Sequence, residues 1–174
     1  MGGLAGFFGE LKAYIVNLSV QLLIVFLTMK KINFLVVSLT DRIQGPAMAA
    51  VLRKVLPRRF DQYKWVVDSV AMIKFHAGKH TDPKMVAALK EEGCDDQKHV
   101  ARVFMDEDFE RYDYLLPIDE QSRNFLHLKM KNIPHQPIIL RTVKIANPMY
   151  TKEKYSFKDC IRSCESAARF VLCG

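Results

Sequence analysis

Four short apolar, β-rich runs separated by helical patterns constrain this chain more than any other feature. The runs are Ile32–Val37, Trp65–Ala71, Tyr114–Ile118 and Ile138–Val143. Helical spacing recurs at Pro46–Leu56, Pro83–Glu92, Asp106–Arg111, Asp119–Lys131 and Phe157–Leu172. A run such as Phe34-Leu-Val-Val37 has no polar residue to turn toward water, so it predicts a strand covered on both faces. Alternation of such strands with helices predicts an α/β domain, a parallel sheet with helices on both sides. Ligands of such sheets bind beyond the carboxyl ends of the strands, where the strand order reverses. The loop after the first strand, Ser38 to Gly45, is therefore the expected site.

That loop reads Ser38-Leu39-Thr40-Asp41-Arg42-Ile43-Gln44-Gly45 and leads into Pro46, a residue suited to a first helical turn. Strand, tight loop and helix N-terminus together hold an anion against backbone N–H groups. The loop resembles the phosphate-binding loop of the low-molecular-weight protein tyrosine phosphatases, Cys-x5-Arg followed by Ser-Pro. Further matches follow in the family's order. Ala49–Val55 is similar to its first helix, Trp65–Ala71 to W-x-V-x-S-A, and His80–Lys84 to S-P-D-P-R. His99–Arg102 resembles H-x-A-R, Glu107–Glu120 the stretch ending F-D-Y-I-L-x-M-D-E, and Asn147–Tyr150 the acid loop D-P-Y-Y. The resemblance implies a hydrophobic extension over residues 1–29 and a phosphatase-like domain over 30–174. The domain is expected to be a single three-layer unit with a four-stranded parallel sheet, order 2-1-3-4, and helices on both faces.

The family's chemistry needs a low-pKa thiolate as nucleophile, an Arg that forks onto the phosphoryl oxygens, and an Asp that protonates the leaving group. At these positions the chain has Ser38, Gln44 and Asn147. A serine hydroxyl ionises far less readily than a thiol, and no His is placed by sequence as its base. Gln44 cannot fork onto phosphate, and a lost charged hydrogen bond is worth about 1.5–3 kcal/mol. Asn147 cannot act as an acid, which alone removes about 10²–10⁴ in rate. The resemblance also assigns Leu39, Thr40, Asp41, Arg42, Ile43, Gly45, Phe75 and Tyr150 to the substrate site. Thr40 replaces a Gly, so a positive φ there would be costly. Asp41 replaces an Asn and is expected to repel an entering phosphate. Arg42 offers a cation from a different loop position, and Ile43 makes the loop more apolar. Phe75 stands where the family has an aromatic wall, though a surface-loop aromatic reads equally well. Tyr150 matches a tyrosine phosphorylated in some members.

The remaining chemistry-bearing residues read as structural. His99 resembles a hydrogen-bonding His of the family and Asp119 an Asp that braces the loops. His76, His80, His127 and His135 lack metal-ligand spacing, and so do Cys94, Cys160, Cys164 and Cys173. No cofactor or metal is expected. The loop also lacks the extra Cys that related arsenate reductases use. The net charge of +7 is scattered and not interleaved with aromatics, which argues against a nucleic-acid partner.

Residues 13–29 form a mostly apolar run weakened by Asn17, Ser19 and Gln21. It touches the lower limit for a membrane span, yet no linker separates it from the first strand. Residues 1–28 are expected to be a dispensable or misassigned extension, with a membrane anchor as the second reading. The function expected overall is a cytoplasmic, non-catalytic binding member of the family. Its partner would be a phosphotyrosine protein or a partner of active relatives. The alternatives are residual or altered phosphatase activity through Ser38 and Arg42, and a membrane-associated protein.

Overall fold

The computed structural model describes residues 12, 14–21, 29–96, 98–130, 137–145, 147–149 and 156–173. Its elements follow the order β1 (Lys30–Ser38), α1 (Gln44–Arg59), β2 (Tyr63–Ala71), a 3₁₀ turn (Lys74–His76), α2 (Pro83–Glu91), α3 (Asp108–Arg111), β3 (Tyr114–Pro117), α4 (Glu120–Lys129), β4 (Ile138–Ile139) and α5 (Phe157–Cys173). The four strands are parallel, in the order β2-β1-β3-β4. This is the expected α/β architecture and strand order.

Side-chain alternation along β1 divides the core into two layers. Phe34 and Val36 point to one face, where they join Met48, Leu52 and Leu56 of α1, Met85 and Leu89 of α2, and Ile161 of α5. Leu35 and Val37 point to the other face, against Phe104, Phe109 of α3 and Leu126 of α4. Leu35, Val36 and Val37 are fully buried, as a central parallel strand requires. Two of the helices that begin near the carboxyl ends of the strands, α2 and α4, are capped by side chains. Pro83 follows Asp82, whose carboxylate accepts the Lys84 N–H at 3.0 Å. Asp119 accepts the Ser122 N–H at 2.7 Å, and Ser122 Oγ in turn accepts the Asp119 N–H at 3.1 Å, a reciprocal capping box.

The fourth strand is shorter than the expected Ile138–Val143. Only Ile138–Ile139 is regular, although the chain keeps tracking β3 through bonds from Leu140 N–H to Leu115 O and from Val143 N–H to Pro117 O. Pro117 has no N–H to return, so the ladder loses alternate rungs there. The helix expected over Asp106–Arg111 begins at Asp108. The far end expected at Lys131 lies outside the described residues. Tyr14, Ile15, Val16, Leu18 and Val20 in the described part of the N-terminal segment are exposed. No described helix is long and apolar enough to cross a membrane.

Leu52, fully buried between the sheet and α5, tests the larger core layer. Leu52→Ala is expected to destabilise the protein by about 2–5 kcal/mol in urea unfolding, with an unchanged dependence on denaturant.

Candidate functional site

Strand β1 ends at Ser38, and the next residues turn within a short loop before α1 begins at Gln44. The loop is tied to its neighbours through the backbone. Met72 N–H donates to Ser38 O at 2.8 Å and Ile73 N–H to Leu39 O at 3.2 Å, while Asp82 N–H donates to Arg42 O at 3.0 Å. The residue with positive φ is Asp41, at 52°, and not Thr40. The strain expected for Thr40 is absent because the left-handed turn falls one residue later, on a residue type that tolerates it. Asp41 N–H donates back to Ser38 Oγ at 3.1 Å, which closes the turn.

The Asp41 side chain is turned inward under the loop and is 1% exposed. Its Oδ2 lies 2.7 Å from His99 Nε2, and the same nitrogen lies 3.4 Å from Ser69 Oγ. His99 Nδ1 faces Asp68 at 3.8 Å. Burial pushes the Asp41 carboxyl above the usual carboxylate range, against the opposing hydrogen bond and charge of His99. Its other oxygen, Oδ1, is buried with no hydrogen-bond partner among the described residues. A Cβ on Gly45 would lie 2.4 Å from that Oδ1 and 2.6 Å from Ser38 Oγ. Gly45 is thus required by close approach, since its φ carries no left-handed demand.

Behind this pair lies a second cluster. Arg102 donates to the fully buried Asp108 at 2.8 Å and to Asp68 at 3.4 Å, and Tyr112 OH donates to Asp68 at 3.1 Å. Burial opposes the Arg102 charge, but Asp108 overcomes it and holds its pKa above the ordinary value. Burial and the Asp68 charge push Tyr112 up to about 12. These groups fix the segment that carries His99.

The side chains at the three expected catalytic positions make structural bonds. Ser38 is buried, and its Oγ donates to Val70 O at 3.4 Å while accepting from Asp41. Gln44 turns away from the loop centre, and its Nε2 donates to Ile145 O at 2.5 Å. Asn147 Oδ1 accepts the Met149 N–H at 2.9 Å, an Asx turn. Arg42 pairs with Asp82 at 3.7 Å through one terminal nitrogen, and its Nε is buried with no hydrogen-bond partner among the described residues. Ile43 is buried in the core layer of α1. Leu39 packs against the opposite layer, and Thr40 is half-buried. Phe75 is 69% exposed on the 3₁₀ turn after β2, beside the exposed Ile73. His76, next to it, is held below its ordinary pKa by partial burial and by the charges of Arg42 and Lys79. Tyr150 and His135 lie outside the described residues. The backbone carbonyl of Ile145 and the crowding at Gly45 had no signal in the sequence, whereas Ser69 stood within the matched second-strand motif. Asp119 serves as a helix cap, a narrower role than the expected brace.

Two stability outcomes follow. Gly45→Ala is expected to destabilise by about 1–3 kcal/mol in urea unfolding, because its methyl group would meet Asp41 and Ser38. The loss should be smaller in an Asp41→Ala background, since the two residues share one space. Asp41 also has a raised folded pKa, so its ionisation weakens the folded state as pH rises through that value. Asp41→Asn should therefore be more stable than the native protein near about pH 7. The gain should fade toward about pH 4, as thermal melts across that range would show.

Comparison with known proteins agrees with this geometry. A low molecular weight phosphotyrosine protein phosphatase of Sus scrofa is 28% identical over 146 residues, covering 77% of this chain and 92% of its own. Low molecular weight phosphotyrosine protein phosphatase 2 of Drosophila melanogaster is 26% identical, covering 82% and 92%. The fold is shared with a protein tyrosine phosphatase from Entamoeba histolytica, at a TM-score of 0.70 and 21% identity over 82% of this chain and 95% of that one. It is shared equally with a drosophila arginine phosphatase, at a TM-score of 0.70 and 19% identity over 80% and 94%. The profile of the family described as "Low molecular weight phosphotyrosine protein phosphatase" matches residues 33–172, and the chain belongs to that family.

Proposed function

We propose that this chain is a catalytically inactive, partner-binding member of its family. The observation that supports this most is the use of all three family catalytic positions for internal bonds. Ser38 is tied to Asp41 and Val70, Gln44 to Ile145, and Asn147 to Met149. A nucleophile needs a base that takes its proton, and Ser38 instead donates to a carbonyl. Loss of a preorganised oxyanion donor typically removes about 10²–10³ in rate. Loss of the acid removes about 10²–10⁴ more. Arg42 is bound to Asp82, which argues against its standing in for the lost Arg.

Binding remains within reach of the same end of the sheet. Phe75 and Ile73 present exposed apolar surface next to the loop, and Arg42, Lys74 and Lys79 lie close by in the chain or beside His76. Of the two partner classes expected, this surface favours a protein that active relatives also engage over one held through its phosphotyrosine. The three buried free thiols of Cys94, Cys160 and Cys164 support a cytoplasmic location.

The full chain is expected to hydrolyse an aryl phosphate no faster than its Ser38→Ala variant. The scale is set by a variant carrying Ser38→Cys, Gln44→Arg, Asn147→Asp and Asp41→Asn. Native turnover that disappears in Ser38→Ala would overturn the non-catalytic reading and put Ser38 back as a nucleophile.

A further inference from the structure

We propose that Asp41 is the specificity-determining residue of the loop. Its carboxylate, held against the first turn of α1, closes the cradle to a dianion, and the cradle takes a tetrahedral oxyanion once that carboxylate is protonated or replaced. The proposal rests on the non-catalytic reading, in which a partner is held by the surface beside the loop and not by a phosphoryl group inside it.

The geometry carries most of the argument. The first-turn N–H groups of a helix have no partner within the helix, and they attract negative charge. Helix α1 is 16 residues long and begins with no side-chain cap and no acidic residue in its first turn. The nearest acidic group is Asp41, three residues before Gln44. The Cβ direction of its second residue, Gly45, is occupied by Asp41 Oδ1 and Ser38 Oγ, at 2.4 and 2.6 Å from where that atom would be. A negative group of the chain itself therefore lies buried under the loop, beside the Cβ position of Gly45 in the first turn of α1. Its Oδ1 is buried and lacks a donor among the described residues, which is an unfavourable state for an ionised carboxylate oxygen.

The other charges facing Asp41 do not cancel this effect at the loop. His99, from the segment after α2, contacts Oδ2 at 2.7 Å, on the side away from Gly45. Asp68 of β2 adds a second negative charge 3.8 Å beyond the His99 ring. Ser69 of β2 is neutral. Arg42, the cation within the loop, is paired with Asp82, and Gln44 supplies no charge where the family has an Arg. A dianion in the loop would be opposed by the buried Asp41 charge, since like charges repel one another. Burial already favours the protonated form of Asp41, so mild acid acts in the same direction as replacing the side chain.

Sulfate is the probe, because its charge is constant between about pH 5 and pH 8 while phosphate's is not. Sulfate is titrated into the full chain and its Asp41→Asn variant, with calorimetry and the Gly45 amide resonance as readouts. Native affinity is expected to rise about tenfold from pH 8 to pH 5.5. Asp41→Asn is expected to bind at pH 8 about as tightly as the native protein does in acid, with a much flatter pH dependence. The inference is overturned if Asp41→Asn leaves the pH 8 affinity unchanged. It is also overturned if the variant keeps the native slope, which would assign the titration to His99. A Gly45 amide that sulfate leaves unmoved in the variant overturns it as well. None of these outcomes touches aryl-phosphate turnover. Native hydrolysis would overturn the non-catalytic reading and leave the anion titration standing.

Discussion

A strand that ends in the middle of a parallel sheet has to reverse its chain within a few residues and deliver it to a helix on one face. Here a left-handed residue makes that reversal, Asp41 at φ 52°. Two contacts hold it, the Asp41 N–H on Ser38 Oγ and the Asp41 carboxylate on His99. Everything at the carboxyl end of the sheet depends on this turn. It aims the first N–H groups of α1 and sets how close Gly45 comes to β1. It also fixes what Ser38 does with its hydroxyl. His99 in turn is fixed from behind by the Asp68–Arg102–Asp108 cluster, in which a charged residue is held inside the core by a bonded partner.

Against that turn, the three substitutions at the family's catalytic positions have a common physical sense. Each places at its position a side chain that bonds the protein itself. Gln44 fastens the start of α1 to the chain that follows β4, through Ile145. Asn147, two residues further on, closes a local turn. A neutral amide suits both tasks because it bonds a single carbonyl or N–H without carrying a charge that burial would penalise.

Much of the fold was legible in the residues. The unbroken apolar run Phe34–Val37 announced a strand buried on both faces, and its even and odd members divide between two core layers as strand geometry demands. Motif order carried the strand order and the place of the loop. Boundaries were less legible, and the reasons are local. Pro117 removes a donor from β3 and cuts β4 short, an effect on one strand encoded in its neighbour. At the site, the residue types were readable but their directions were not. Nothing in a row of letters says that Arg42 turns to Asp82, that Gln44 reaches across 101 positions to Ile145, or that the strain at Thr40 is avoided by moving the turn to Asp41. Those outcomes are set by long-range backbone contacts such as Met72 to Ser38 and Asp82 to Arg42.

The missing side chain at Gly45 bears on history as much as on shape. The related loops have a serine there, and its β-carbon would now coincide with space held by Asp41 and Ser38. A serine at position 45 therefore meets a steric barrier until Asp41 moves. The order of substitution therefore matters: position 41 is open to change on its own, whereas a side chain at position 45 must wait for it.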